Sequence, residues 1–270
     1  MQQVYACAPA VILTPAHDPC TPPHPALRCF ALPAGPDHGY NLGQFRVDSD
    51  KTMVYDHGTR VPALIKGPGI APGSVLPIVT SMADLAPTLV ELAGGGGNNA
   101  TAATRGTSAD TDDGMDGSSF APQLLATGRS LSHAGAASPA FGRTATLIEY
   151  QSGRKNAACS NAMAPPAPQN ISCHYHDSSN NSFSAVRIIA PVTGDLLFGA
   201  FNDGSVAGGW YFNPASVNYY ELYNVTEDYY MLHNIYNDVS PALQAQLRGI
   251  LQTAIKCVGR KECEEALNLP

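Results

Sequence analysis

The chain has 270 residues, with 15 lysines and arginines against 22 aspartates and glutamates, a formal charge of −7 with histidine neutral. That balance excludes a basic nucleic-acid-binding surface. At 44% hydrophobic and 14% charged residues, there is enough apolar material for a folded core and too little like charge for a disordered chain. No stretch nears the roughly 18 uninterrupted apolar residues of a membrane span, and Met1-Gln-Gln-Val-Tyr-Ala-Cys lacks the basic flank of a secretory signal.

Residues 1 to 36 hold eight prolines together with Cys7, Cys20 and Cys29. Hydrophobic periodicity is absent there beyond the run Ala8 to Leu13, so an irregular leader is expected. From Asp37 the character changes. Val61 to Ile65 is a short apolar run bounded by punctuating residues, which predicts a buried strand, and Gly67-Pro-Gly predicts a turn. Between Ser81 and Gly94, Met82, Leu85, Ala86, Leu89, Val90, Leu92 and Ala93 recur at three and four. This predicts an amphipathic helix with Ser81 or Asp84 as its N-cap and Pro87 near its start.

The tract from Gly94 to Asp113 is rich in Gly, Asn, Ala, Thr and Asp and has almost nothing apolar to bury, so it reads as a surface loop. Asp116-Gly-Ser-Ser-Phe-Ala-Pro-Gln-Leu-Leu predicts a turn into a short helix, and Ala145 to Tyr150 a strand. Ala185 to Ala190, Gly194 to Phe201 and Tyr219 to Asn224 are strand-length runs between turn residues. Pro241 to Cys257 predicts a closing helix with Leu243, Leu247, Ile250, Leu251 and Ile255 on one face. Antiparallel strands with a terminal helix make a small α+β unit.

Few residues suggest chemistry by themselves. Asp37-His38-Gly39 would present a carboxylate and an imidazole at one loop, a pair able to hold a metal or a proton, though such a tripeptide is usually a plain turn. Lys51, 14 positions after Asp37 and ahead of the predicted strand, could hold an anionic group as a compact point charge. Cys173-His174-Tyr-His176 has the look of half a zinc site but lacks a second ligand pair at a usual spacing.

Taken in order, the segments Asp37-His-Gly-Tyr-Asn-Leu-Gly-Gln-Phe, Asp50-Lys51, Tyr55-Asp56, Arg60-Val-Pro-Ala-Leu-Ile-Lys-Gly-Pro-Gly, Ala83-Asp-Leu-Ala-Pro-Thr-Leu-Val-Glu-Leu-Ala-Gly and Met115-Asp-Gly-Ser-Ser resemble the later part of a type I sulfatase. Tyr220-Glu-Leu-Tyr-Asn-Val-Thr-Glu-Asp-Tyr-Tyr-Met-Leu-His-Asn-Ile is similar to that family's C-terminal signature. The likeness is greatest to N-acetylglucosamine-6-sulfatases and to plant and algal arylsulfatases. It implies part of an alkaline-phosphatase-like α/β core over 37–130, with 94–114 as its low-complexity loop. Residues 131–270 would form a small α+β domain with an antiparallel sheet and a C-terminal helix.

The resemblance further implies a sulfuric ester hydrolase acting on sulfated sugars or aryl sulfates. In this family a cysteine-derived formylglycine attacks sulfur beside a calcium ion. Carried over, Asp37 and His38 would be calcium ligands, His38 standing where most relatives have Asn. Lys51 would contact the substrate sulfate and stabilise the anion at the leaving oxygen. Asp56, where the family has Glu, would support the site. The formylglycine motif Cys-x-Pro-x-Arg is not found: Cys20-Thr-Pro-Pro-His24 has histidine in place of the arginine and stands too close to Asp37. The chain is therefore expected to be a C-terminal fragment without the nucleophile, inactive alone and poorly soluble.

Asn99, Asn170, Asn180 and Asn224 lie in glycosylation sequons, and Cys159, Cys173, Cys257 and Cys263 form an even set able to make two disulfides in three pairings. Both agree with the lysosomal or extracellular location that the resemblance implies. Two readings compete with a hydrolase. One is a non-catalytic carbohydrate- or protein-binding remnant; the other is a phosphate-transferring relative holding zinc at Asp37 and His38.

Overall fold

The computed structural model describes residues 11–13, 31–34, 38–47, 51–67, 69–92, 115–130, 141, 143–151, 181–202 and 212–270. Two four-stranded sheets organise them. The first contains β1 (Val11–Leu13), β2 (Ala31–Ala34), β3 (Ala63–Lys66) and β4 (Val75–Leu76) in the order β2-β3-β1-β4. β1 runs parallel to β3, while β4 and β2 close the edges antiparallel. Two of these strands come from the segment expected to be an irregular leader. Short strands flanked by prolines leave no readable period, and pairing with β3 supplies the order that local pattern lacks.

The helix foreseen after Ser81 forms in pieces, a 3-10 turn Met82–Asp84 followed by α2 (Leu85–Val90). α3 (Ala121–Ser130) follows. Ile65, Leu76, Leu92, Phe120, Ala121 and Leu124 pack into one buried cluster, so β3, β4, α2 and α3 share a core.

The second sheet is an antiparallel meander: β5 (Ala145–Tyr150), β6 (Ser182–Ala190), β7 (Gly194–Asn202) and β8 (Val217–Asn224). Its middle is covered on both faces, most completely at β6. On one face Val186, Ile188, Phe198 and Leu222 meet Leu247, Leu251 and Ala254 of α4 (Pro241–Lys256). On the other, Ile148, Phe183, Leu197, Phe201 and Tyr223 meet Val54 and Met231. Two-sided burial explains why the β6 run Ala185 to Ala190 is apolar on both faces apart from Arg187, without strict alternation. Ser240 caps α4 by accepting a hydrogen bond from the Leu243 N–H, with Pro241 at its first position. A further helix, α5 (Arg260–Leu267), is joined to the end of α4 by the disulfide Cys257–Cys263. Cys159 and Cys173, the remaining members of the even set, lie outside the described residues.

The architecture is thus mixed α/β, with a separate antiparallel sheet and helices closing the C-terminal part. No described helix is long and apolar enough to cross a membrane.

Candidate functional site

His38 and Lys51 meet, although 13 residues separate them: Lys51 Nζ lies 2.6 Å from His38 Nε2. An ammonium can only donate, so Nε2 accepts, and the other ring nitrogen, Nδ1, donates to the Gly39 carbonyl at 3.0 Å. The imidazole is therefore held from both sides. Asp37, the carboxylate expected beside them, lies outside the described residues, as do Cys20, His24, His174 and His176.

The short helix α1 (Asp56–Thr59) holds this loop in place. The Gly39 N–H donates to the Gly58 carbonyl at 2.8 Å, and a β-carbon at Gly39 would stand 2.3 Å from the His57 carbonyl oxygen. Glycine is required there because two backbones touch. After Lys51 the chain lies along the second sheet. Asn181 Nδ2 donates to the Thr52 carbonyl at 2.8 Å, and Val54 is buried among the side chains of the sheet.

Asp56 anchors the segment. Its carboxylate receives Arg187 Nε at 2.9 Å and the second terminal nitrogen at 3.3 Å, a two-pronged contact with a guanidinium only 1% exposed. Arg187 also contacts Asp195 and donates to the Ile188 and Leu196 carbonyls. Asp56 thus ties the segment carrying Lys51 to the middle of the C-terminal sheet.

Sequence reasoning missed a cluster beside α1. Glu221, on β8, is buried, and hydrogen bonds join its carboxyl to Tyr55 and Tyr223. Burial pushes Glu221 up to about 7 against the two tyrosine hydrogen bonds, which favour the charged form. Tyr55 is pushed up to about 12 by burial and then by the Glu221 charge. Tyr223 is pushed up for the same two reasons. Tyr55 stacks on His57 at 5.6 Å between ring centroids. Burial holds His57 below its ordinary value, against the pull of the Asp56 charge, and its Nε2 has no hydrogen-bond partner among the described residues. Asn41, in the His38 loop, is fully buried with both amide atoms unpartnered among the described residues. No periodic signal marks these polar side chains, because their burial is created by segments distant in sequence.

The motif residues around Asp84 and Gly117 are structural. Asp84 is fully buried and accepts from the Ser81 N–H at 2.6 Å and the Ser118 N–H at 2.7 Å, and it pairs with Arg143. A β-carbon at Gly117 would stand 2.0 Å from the Ala83 carbonyl oxygen, so Gly117 and Ser118 dock directly on the start of the helix.

Calcium, which the resemblance implies, takes six to eight oxygen ligands. The described residues offer one imidazole here and contain no group of three metal-ligating side chains. They do not by themselves fit calcium.

No family model matches the chain. It is 28% identical to N-acetylglucosamine-6-sulfatase of Capra hircus over 228 residues, 83% of this chain and 34% of that protein. The human N-acetylglucosamine-6-sulfatase is 27% identical over the same shares. An arylsulfatase of Chlamydomonas reinhardtii is 28% identical over 227 residues, 83% of this chain and 29% of its own length. A solved structure from Bacteroides thetaiotaomicron, described under the metabolism of multiple glycosaminoglycans, matches at TM-score 0.49 and 17% identity, covering 86% of this chain and 38% of that one. The chain spans about a third of the length of these curated relatives. By sequence, then, it is a homologue of the N-acetylglucosamine-6-sulfatases and arylsulfatases over most of its own length.

Proposed function

We propose that this chain supplies the lysine that contacts sulfate in a sulfuric ester hydrolase of the N-acetylglucosamine-6-sulfatase and arylsulfatase kind. The observation that carries the reading is the meeting of Lys51 Nζ and His38 Nε2 at 2.6 Å, in a loop fastened by Gly39 to Gly58. Hydrolysis of a sulfate ester breaks the bond between sulfur and the bridging oxygen, so negative charge grows on the leaving alkoxide. A fixed ammonium at that oxygen stabilises the charge as it develops, and does so more strongly where water is excluded. The neutral nitrogen of His38 orients Lys51 without competing for the anion.

Formylglycine supplies the nucleophile in the family. The part proposed for Lys51 and His38 is to bind and orient the sulfate rather than to attack it. A lysosomal or extracellular setting follows from the same reading, as do glycans at Asn99, Asn170, Asn180 and Asn224. The first three asparagines lie outside the described residues, and Asn224 closes β8.

Titration with N-acetylglucosamine 6-sulfate tests the proposal. Lys51→Ala should weaken binding about tenfold, the effect of losing one charge-assisted hydrogen bond. Equal affinity for both proteins would remove Lys51 from the site.

A further inference from the structure

Next to the His38 loop the surface changes character. Phe45, Tyr229 and Tyr230 are 47%, 62% and 59% exposed, and their rings touch in a row: Phe45 to Tyr230 at 5.4 Å and Tyr230 to Tyr229 at 5.2 Å. Phe45 lies 6.3 Å from the ring of His57, whose carbonyl oxygen packs against Gly39, the residue next to His38 and itself bonded to the Gly58 carbonyl. The platform is therefore continuous with the candidate site.

Its backbone is unusual as well. Among the described residues, the non-glycine residues with positive φ are Phe45 at 55°, Arg46 at 61° and Met231 at 55°. All three border this row of rings. Left-handed backbone at bulky residues is unfavourable and persists where surrounding structure over-determines it, commonly at ligand sites. Here it turns Phe45 out of its loop and terminates the Tyr229–Tyr230 turn, where the Met231 N–H donates to the Asp228 carbonyl. Asp228 Oδ2 is itself occupied by the His233 N–H at 2.8 Å, whereas Arg46 is exposed beside Phe45.

We propose that Phe45, Tyr229 and Tyr230 form a stacking platform for a sugar ring of an anionic saccharide, extending the sulfate site at Lys51 along the chain of the substrate; this rests on the sulfatase reading. A pyranose has an apolar face of C–H groups that packs on an aromatic ring and a rim of hydroxyls that needs donors and acceptors, which tyrosine provides. The rings are tilted by 49° and 82° to one another and open to solvent on one side, so they make an open shelf rather than the parallel slot a flat aryl group would fill. The cations of Arg46 and Lys51 match sulfate groups on that saccharide.

Saturation-transfer NMR titrations with N-acetylglucosamine 6-sulfate, unsulfated N-acetylglucosamine and phenyl sulfate test the platform on the whole chain. Tyr230→Ala and Tyr229→Ala should each weaken both sugars about fivefold and leave phenyl sulfate unchanged, while Tyr230→Phe keeps most of the affinity. Lys51→Ala should weaken only the two sulfated probes. If the tyrosine variants bind both sugars like the parent, the platform is wrong. A self-association abolished by Tyr230→Ala with sugar binding unaltered would identify a second copy as the occupant and overturn it too. If the tyrosine variants weaken the sugars but Lys51→Ala leaves every probe unchanged, the platform stands and the sulfatase reading of Lys51 fails.

Discussion

Glu221 carries a carboxyl whose folded-state value of about 7 lies well above the ordinary 4.5, because burial disfavours its charged form. Folding therefore takes up a proton between those values. The stability linked to this group is fully present below pH 4.5 and is lost as pH rises through about 7. The magnitude is on the order of 3 kcal/mol. His57 acts oppositely: its lowered value contributes stability above its ordinary 6.5 that disappears as pH falls through the lowered value. Glu221→Gln isolates the first effect. Urea unfolding from pH 4.5 to 8 should lose its decline in the variant, and an unaltered pH profile would mean that Glu221 does not titrate in this window. The charge pattern of the sequence does not show this residue as special. Its environment comes from Tyr55, more than 160 positions away, and from Tyr223 on the same strand.

At the scale of elements, the start of the α2 region depends on one carboxylate. Asp84 receives backbone N–H groups from Ser81 and Ser118 and the guanidinium of Arg143, so it joins a helix start, a motif turn and the approach to β5. Asp84→Ala would leave Arg143, 5% exposed, without its counter-charge and two buried donors without an acceptor. A loss of about 3 to 5 kcal/mol is expected, against roughly 1 kcal/mol for an ordinary exposed cap. A fall in unfolding midpoint equivalent to less than 1 kcal/mol would show that Asp84 is merely a cap. Both candidate caps, Ser81 and Asp84, were legible from residue type. That Asp84 also binds Ser118, 34 residues on, was not, since capping rules describe only neighbours along the chain.

At the scale of the whole molecule, Asp56 and Arg187 join the Lys51 segment to the second sheet across 131 positions. Arg187→Met should destabilise the protein by about 3 kcal/mol, because Asp56 and Asp195 lose a buried partner. It should also raise hydrogen exchange over 51–60 more than over β7. Combining it with Asp56→Asn should cost less than the two single changes together, since the second change removes one of the charges left unpaired. Protection over 51–60 unchanged in Arg187→Met would mean that apolar contacts such as Val54 hold the segment instead.

The strands β5 to β8, the helix α4 and the likeness to sulfatases were readable directly, because each rests on local signals: apolar runs between turn residues, a capped amphipathic repeat and contiguous motifs. Lys51 and His38 stood out only through the motif, as a lysine before a strand has no period that marks it. The tertiary structure decided what no local pattern encodes. It recruited β1 and β2 from a proline-rich segment into a sheet and closed His38 onto Lys51. It also buried Glu221 among tyrosines and set Phe45 beside Tyr229 and Tyr230. The physical reason is common to all four. Pairing, desolvation and ring contact depend on distances between residues far apart in the chain, and sequence order carries those distances only after the chain has folded.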